Sequence, residues 1–208
     1  MVSAAPILPL QDFQCISNAV AGMIIAEEAS VIGKCVLFGL MGARVLRTSY
    51  KLADARAVVG AFYLRLESPN VIAFAGYQGT ESNRQNFHCW VEAAGYIFDF
   101  SSFTYRDLAR QSFGVDCATL MFQKHGSRAV PTPNALRKPG DFYVLEDRSL
   151  REKTIDATLS YPAVEDILEI LEHWYQPPPK KMQRIGLADA KGKAKPVHMH
   201  NAVLQGAW

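Results

Sequence analysis

The stretch "NFHCWVEAAGYIFDFSS", Asn86 to Ser102, narrows what this chain can fold into more than any other. Two short runs rich in β-branched and aromatic residues flank Ala93-Ala94-Gly95, and a glycine beside a two-residue connection suits a tight hairpin. Each run carries a polar group that a buried strand does not ordinarily need, His88 on the first and Asp99 on the second. Residues of paired strands share a face by parity. With Ala93-Ala94 as the loop, His88 stands directly opposite Asp99; with Ala94-Gly95, the two are diagonal neighbours on one face; a three-residue loop separates them. A buried histidine tied to a carboxylate can be purely structural. As the outer pair of a catalytic set it requires a third residue, a nucleophile.

The rest of the chain supplies helices first and strands later. Phe13, Ile16, Val20, Met23 and Ile24 recur at helical spacing, which predicts a helix from about Asp12, placed as its cap, to Ala29. Ser30 to Lys34 is a break. A second helical pattern starts near Gly33, holds Val36, Leu37, Leu40, Met41 and Val45, and reaches about Leu52. From Ala55, "ARAVVGAFYLRL", "NVIAFAGY", "FHCWVEA" and "YIFDF" read as strands of an antiparallel meander. "TYRDLARQ" reads as a short helix, "DFYVLED" as a strand and "PAVEDILEILEHWY" as an amphipathic helix with Pro162 in its first turn. This order predicts an α+β fold with N-terminal helices packed on an antiparallel β-sheet.

Cys35 has the right chemistry for that nucleophile, although taken alone it reads as a buried inert thiol. It falls in the first turn of the second helix, where the partial positive charge of the helix N-terminus and a neighbouring imidazolium favour a thiolate. The unpaired backbone N–H groups of that turn can hold an oxyanion. Gly33 gives a substrate chain room to approach.

In order, "VIGKCVLFGLMGARVL", "DARAVVGAFYL" and "HCWVEAAGYIFDFSS" resemble the core pattern of the transglutaminase-like superfamily of papain-fold proteins. In that pattern a cysteine opens a helix, a strand like "ipARvVxGyy" follows, then a His-x-Trp-Val-Glu strand, and an aspartate ends the next strand. The resemblance runs from about Ser30 to Ser102, and Arg56, Val58, Val59 and Gly60 fall on its intervening strand. It implies a papain-like fold with Cys35 as nucleophile, His88 as base and Asp99 as the orienting acid. It further implies a peptide or a small amide or acyl substrate and either hydrolysis, as in a peptidase or amidase, or transfer to an amine. Members without a working triad serve as binding modules. By analogy with the glutamine that precedes the cysteine in papain-like enzymes, Gln14 and Gln11 are the side-chain oxyanion candidates; Gly33, Lys34 and Trp90 are the cleft candidates, Trp90 as either core or cleft wall.

Length and charge fit this reading. The 208 residues, 49% of them apolar, suffice for one self-supporting domain, read here as residues 1–176 followed by a C-terminal extension, 177–208. With 22 Lys+Arg against 20 Asp+Glu, the net charge of +2 gives no reason to expect nucleic-acid binding by the body. The basic residues crowd into the extension, at Lys180, Lys181, Arg184, Lys191, Lys193 and Lys195 with only Asp189 against them. That segment lacks the interleaved aromatics that stack on single-stranded nucleic acid, and binding of an acidic partner or RNA there is a lesser reading. The extension is expected to dock on the body or on a second copy, giving a homodimer, with Leu204 or Trp208 as anchor. Four cysteines without a Cys-x-x-Cys pair read as free thiols of a reducing, cytoplasmic setting. Cys15 is expected in the core, Cys89 on the face opposite His88, and His125 and His173 near the surface. His198 and His200 lack neighbouring ligands, so no metal is expected. No phosphate loop, dinucleotide fingerprint or membrane-spanning run is present, and no cofactor is called for.

Overall fold

The computed structural model describes residues 6–27, 30–67, 69–75, 82–188, 192 and 194–208. Lys191, Lys193 and Asp189 of the basic segment lie outside the described residues, as do the ends of the first expected helix and second expected strand.

The fold is mixed α+β, with helices packed on an antiparallel sheet. Helix α1 spans Leu10–Ala26 and α2 spans Cys35–Ser49. The first begins two residues ahead of Asp12, behind Pro9, so Asp12 is not its cap. Its carboxylate instead accepts a hydrogen bond from Tyr50 Oη at 2.9 Å. Because Tyr50 closes α2, this contact sets the start of α1 beside the end of α2, an antiparallel helix pair. The turn between the helices uses Ser30, whose hydroxyl accepts from Ile32 N at 3.2 Å, and Gly33 at φ 75°.

Strand β1 (Arg56–Arg65) is the trunk of the sheet. Residues 62–65 pair with β2 (Val71–Phe74), residues 56–60 with β3 (His88–Ala93), and residues 60–64 with β6 (Phe142–Glu146), all antiparallel. Phe62 faces both Phe74 and Val144, and Gly60 faces both His88 and Glu146. Strands β2 and β3 therefore follow one another along one edge of β1 while β6 takes the other. The expected meander is corrected here: β3 pairs with β1 and not with β2, because β1 is long enough to carry two short partners in succession. β4 (Tyr96–Asp99) pairs with β3, and β5 (Phe122–His125), which no sequence signal marked, pairs with β4. Arg56 pins three strands together, with Glu92 of β3 at 2.6 Å and Glu146 of β6 at 2.7 Å.

Between β4 and β5 lies α3 (Tyr105–Phe113), closed by Gly114 in the left-handed conformation. After β6, Asp147 caps α4 (Arg148–Leu159) by accepting from Leu150 N at 2.9 Å, and α5 (Pro162–Trp174) starts on a proline. Small residues set the spacing of α2 from the sheet. A Cβ on Gly39 would stand 2.4 Å from Cys89 Sγ, and one on Gly42 would stand 2.3 Å from the Phe100 ring. Phe13, Phe38, Met41, Val91, Phe98 and Phe100 fill this helix-facing core, while Val58, Phe62, Trp90, Ile97, Tyr105 and Phe122 fill the other side.

The C-terminal segment docks on the chain's own body. A small hairpin, β7 (Ile185–Ala188) with β8 (Ala194–Val197), lies against α1, where Leu187 and Val197 are buried. Beyond it Asn18 of α1 donates to Ala202 O and accepts from Ala202 N, and the segment's backbone passes so close that a Cβ on Gly22 would meet His198 O at 2.3 Å. Leu204 is buried and Trp208 packs partly buried against the core, its backbone N–H donating to Met121 O at 3.1 Å. Among the described residues no helix is long and apolar enough to cross a membrane.

Candidate active site

The β3–β4 hairpin turns on Ala94 and Gly95, at φ 49° and 77°, with Ala93 opposite Tyr96. Both left-handed positions together make the turn type whose twist matches paired strands. In this register His88 would pair with Ser101, so Asp99 is its diagonal neighbour on the same face. Their side chains meet, His88 Nε2 to Asp99 Oδ2 at 2.7 Å, and both residues are buried, 2% and 1% exposed.

An ionised carboxylate this deep needs donors on both oxygens. Asp99 Oδ1 accepts from Ser101 N at 2.9 Å and from Ser101 Oγ at 2.6 Å, while Oδ2 accepts from His88 and from the hydroxyl of Tyr105. The Tyr105 hydroxyl also stands 3.2 Å from His88 Nε2. The imidazole is sandwiched in aromatic surroundings, stacked on Phe74 at 4.4 Å and 18° and tilted against Phe62 at 5.0 Å.

The electrostatics follow from this packing. Burial by itself pushes the His88 imidazole down, but the charge and hydrogen bond of Asp99, joined by Cys35, outweigh it and lift the group to about 10. Burial pushes the Asp99 carboxyl up, and the charge and hydrogen bond of His88, with Ser101 and Tyr105, carry it below its ordinary value. Burial and the Asp99 charge hold the Tyr105 phenol far above the ordinary range, so its proton stays on. The pair is therefore imidazolium and carboxylate at neutral pH.

Cys35, the first residue of α2, lies near enough to the same imidazole to add to its upward shift. With Nε2 committed to Asp99 and Tyr105, Nδ1 is the ring nitrogen left for the sulfur. The thiol is half-buried beside Val36, Phe87 and Ile155, over Ala57, Val59, Cys89 and Leu150. The first backbone bond of α2 runs from Phe38 N to Lys34 O at 3.2 Å, so the N–H groups of Cys35, Val36 and Leu37 precede the ladder. A thiol, an imidazole and a carboxylate, with the first amides of a helix at the thiol, are the kinds of group that acyl transfer through a cysteine can use.

Other expected site residues lie elsewhere. Gln11 and Gln14 line a cleft of about 480 Å³ that the C-terminal segment completes, and Gln14 Oε1 accepts from Leu204 N at 2.8 Å. The antiparallel helix pair explains this correction: the start of α1 sits beside Tyr50, about 20 Å along α2 from Cys35 at 1.5 Å per residue. Trp90 is 1% exposed, packs against Phe62 and donates its indole N–H to Glu92 at 3.2 Å, so it is core and not a wall of an open cleft. Gly33 and Lys34 are exposed just ahead of Cys35, where a Cβ on Gly33 would meet nothing within 4 Å. Cys89 is buried on the α2 side of the sheet, opposite in facing to His88. Cys15 is half-buried, its thiol pushed up by burial. His200 packs against Phe103 at 5.4 Å, and among the described residues no three His, Cys, Asp or Glu gather to hold a metal. Sequence reasoning missed Tyr105 and Ser101; the "DFSS" that ends the strand offered a signal for Ser101, and Tyr105 offered none.

A family model described as "Protein of unknown function (DUF2026)" matches residues 9–208. The chain belongs to the DUF2026 family. The match extends through the C-terminal segment, in keeping with the way that segment is built onto α1. A crystal structure described only as that of a genomics protein has the same fold, with a TM-score of 0.87 and 24% identity over 100% of both chains. A comparison with curated proteins finds none that matches.

Proposed function

We propose that this DUF2026 protein is a cysteine-dependent enzyme acting on an amide or thioester carbonyl, built on a papain-like, transglutaminase-like core. The observation that carries the reading is the buried His88–Asp99 pair at 2.7 Å, with Cys35 at the N-terminus of α2 close enough to influence the imidazole. Burying an ion pair this completely is of little use for stability alone, because an apolar pair of similar volume serves as well or better.

In the proposed reaction Cys35 Sγ attacks the carbonyl carbon, and the oxyanion settles against the free N–H groups of the first turn of α2. The His88 imidazolium gives its Nδ1 proton to the leaving amine or thiol as the tetrahedral intermediate collapses to an acyl-enzyme. Neutral His88 then takes a proton from water, which attacks the thioester and frees the acid and Cys35. An amine in place of water makes the step an acyl transfer; hydrolysis is favoured, since it needs no second substrate site. Asp99 holds the Nε2–H tautomer throughout. The substrate class is a peptide or a small amide or acyl compound. Four free cysteines fit a reducing, cytoplasmic setting.

The reading is tested by incubating the protein with a panel of p-nitrophenyl esters and acyl thioesters and locating any adduct by mass spectrometry of tryptic peptides. The expected result is an acyl group on Cys35 that is absent in the His88→Ala chain. Acylation spread over the four cysteines, or unchanged by that substitution, overturns the reading.

A further inference from the structure

We infer that Tyr105 is a positioning residue that sets how strongly Asp99 holds the His88 imidazolium. This rests on the reading of Cys35, His88 and Asp99 as a working set. Tyr105 is the first residue of α3, and the turn after β4 brings it back beneath the sheet, 1% exposed, with its hydroxyl against both Asp99 Oδ2 and His88 Nε2.

The geometry fixes the direction of the effect. The phenol proton lies on the very oxygen that receives the His88 Nε2–H, so the two donors share one carboxylate oxygen. A second donor draws charge from Oδ2 and weakens its hold on the imidazolium. The phenol oxygen also faces Nε2 and can accept from it, which acts in the opposite sense. That contact, at 3.2 Å, is longer than the 2.7 Å bond from Nε2 to Asp99, and the phenol's bond to the carboxylate is charge-assisted, so the effect through Asp99 decides the sign. The charged and titratable groups acting on His88 are Asp99 of β4 and Cys35 of α2, with Tyr105 of α3 on the carboxylate; Phe62 and Phe74 pack against the ring. Tyr105 thus holds the imidazolium below the strength that Asp99 alone would give it, making its proton easier to release to a leaving group.

The test follows the His88 ring by NMR in the full chain, titrating the imidazole Cε1–H alongside the pH dependence of Cys35 alkylation by iodoacetamide. Tyr105→Phe, which keeps the ring and deletes the hydroxyl, is expected to move the low-pH onset of Cys35 alkylation down and, in the NMR titration, the loss of the imidazolium to higher pH by about one unit. A ring-fluorinated tyrosine placed at position 105 alone keeps the hydroxyl as a stronger donor, and moves it to lower pH. This second variant decides the matter where the phenylalanine chain fails to fold. Shifts in opposite directions support the role. An unmoved imidazole titration in the fluorotyrosine chain, or a shift of the same sign in both, overturns it. Failure of the functional reading looks different: alkylation of Cys35 in the unsubstituted chain is then indifferent to His88→Ala, whatever Tyr105 does to the ring.

Discussion

Gly60 is the position where one methyl group does most to separate this fold from its alternatives. It pairs with His88 on one edge of β1 and with Glu146 on the other. A Cβ there would stand 2.0 Å from Leu145 O, 2.9 Å from Leu145 C and 3.0 Å from Glu146 Cα. All three are backbone atoms, so no side-chain rotation relieves the overlap; β6 must retreat from β1 by more than 1 Å, roughly the shortfall from ordinary contact. Overpacking of this kind costs about 1–3 kcal/mol. Retreat of β6 also loosens the bond from Asp147 N to Val59 O, now 2.9 Å, and its neighbours in the ladder. Each lost bond adds about 1 kcal/mol. Gly60→Ala is therefore expected to cost about 3–5 kcal/mol, which in a domain of this size lowers the melting temperature by about 10 °C. Thermal unfolding followed by circular dichroism reads it. Gly33→Ala is the control: its φ of 75° is strained for alanine but its Cβ direction is empty, so only the backbone penalty of about 1–2 kcal/mol applies. A Gly60→Ala chain melting within a degree or two of the unsubstituted protein, or no lower than Gly33→Ala, refutes the branching of β1 between β3 and β6.

Other consequences follow from the same contacts. His88 is protonated in the folded state up to about 10, against about 6.5 when unfolded, so its contribution to stability is complete below pH 6.5 and is lost as pH rises through 10. Urea unfolding at pH 7 and pH 9.5 should show this loss in the native chain and not in His88→Gln; equal losses in both would contradict it. Asp99→Asn removes the charge that opposes burial, and the His88 imidazole, followed by NMR, should then titrate below 6.5, the direction that burial alone dictates. Ser101→Ala deletes the 2.6 Å bond to Asp99 Oδ1, a charge-assisted contact expected to cost about 1.5–3 kcal/mol in denaturant unfolding. A chain ending at Gln176 loses the buried side chains of Leu187, Val197 and Leu204, each about 1.5–3 kcal/mol, a sum comparable to the whole stability of a domain. It should lose its cooperative transition, whereas an independent extension would leave that transition in place.

The site was legible in the sequence to the extent that it depends on local rules. The parity of a two-residue turn put His88 and Asp99 on one face, and Gly95 marked the turn. The polar residues and break ahead of Cys35 marked the start of α2, although that helix ends at Ser49 and not at Leu52. What local rules do not encode was missed. β5 is four residues long, and its "FQKH" carries no alternation that distinguishes a strand from a loop. α4 buries only Leu150, so it has no apolar stripe to read. The division of β1 among three partners is a property of the assembled sheet. The same holds for Tyr105, whose hydroxyl reaches Asp99 only because the chain turns back beneath β4, and for Gln14, which serves the C-terminal segment because the first two helices run antiparallel.

The measurement closest to the central claim is the rate at which iodoacetamide alkylates Cys35 across pH 5–10, in a chain whose other three cysteines are alanine, with and without His88→Ala. At pH 6 an ordinary thiol of pKa near 8.5 is about 0.3% thiolate. If Cys35 and His88 form a working pair, the rate at pH 6 exceeds that of the His88→Ala chain by at least about tenfold and changes little down toward pH 5. A slow rate at pH 6 that climbs like that of a free thiol, and is the same in both chains, contradicts the proposal that this protein uses Cys35 for catalysis.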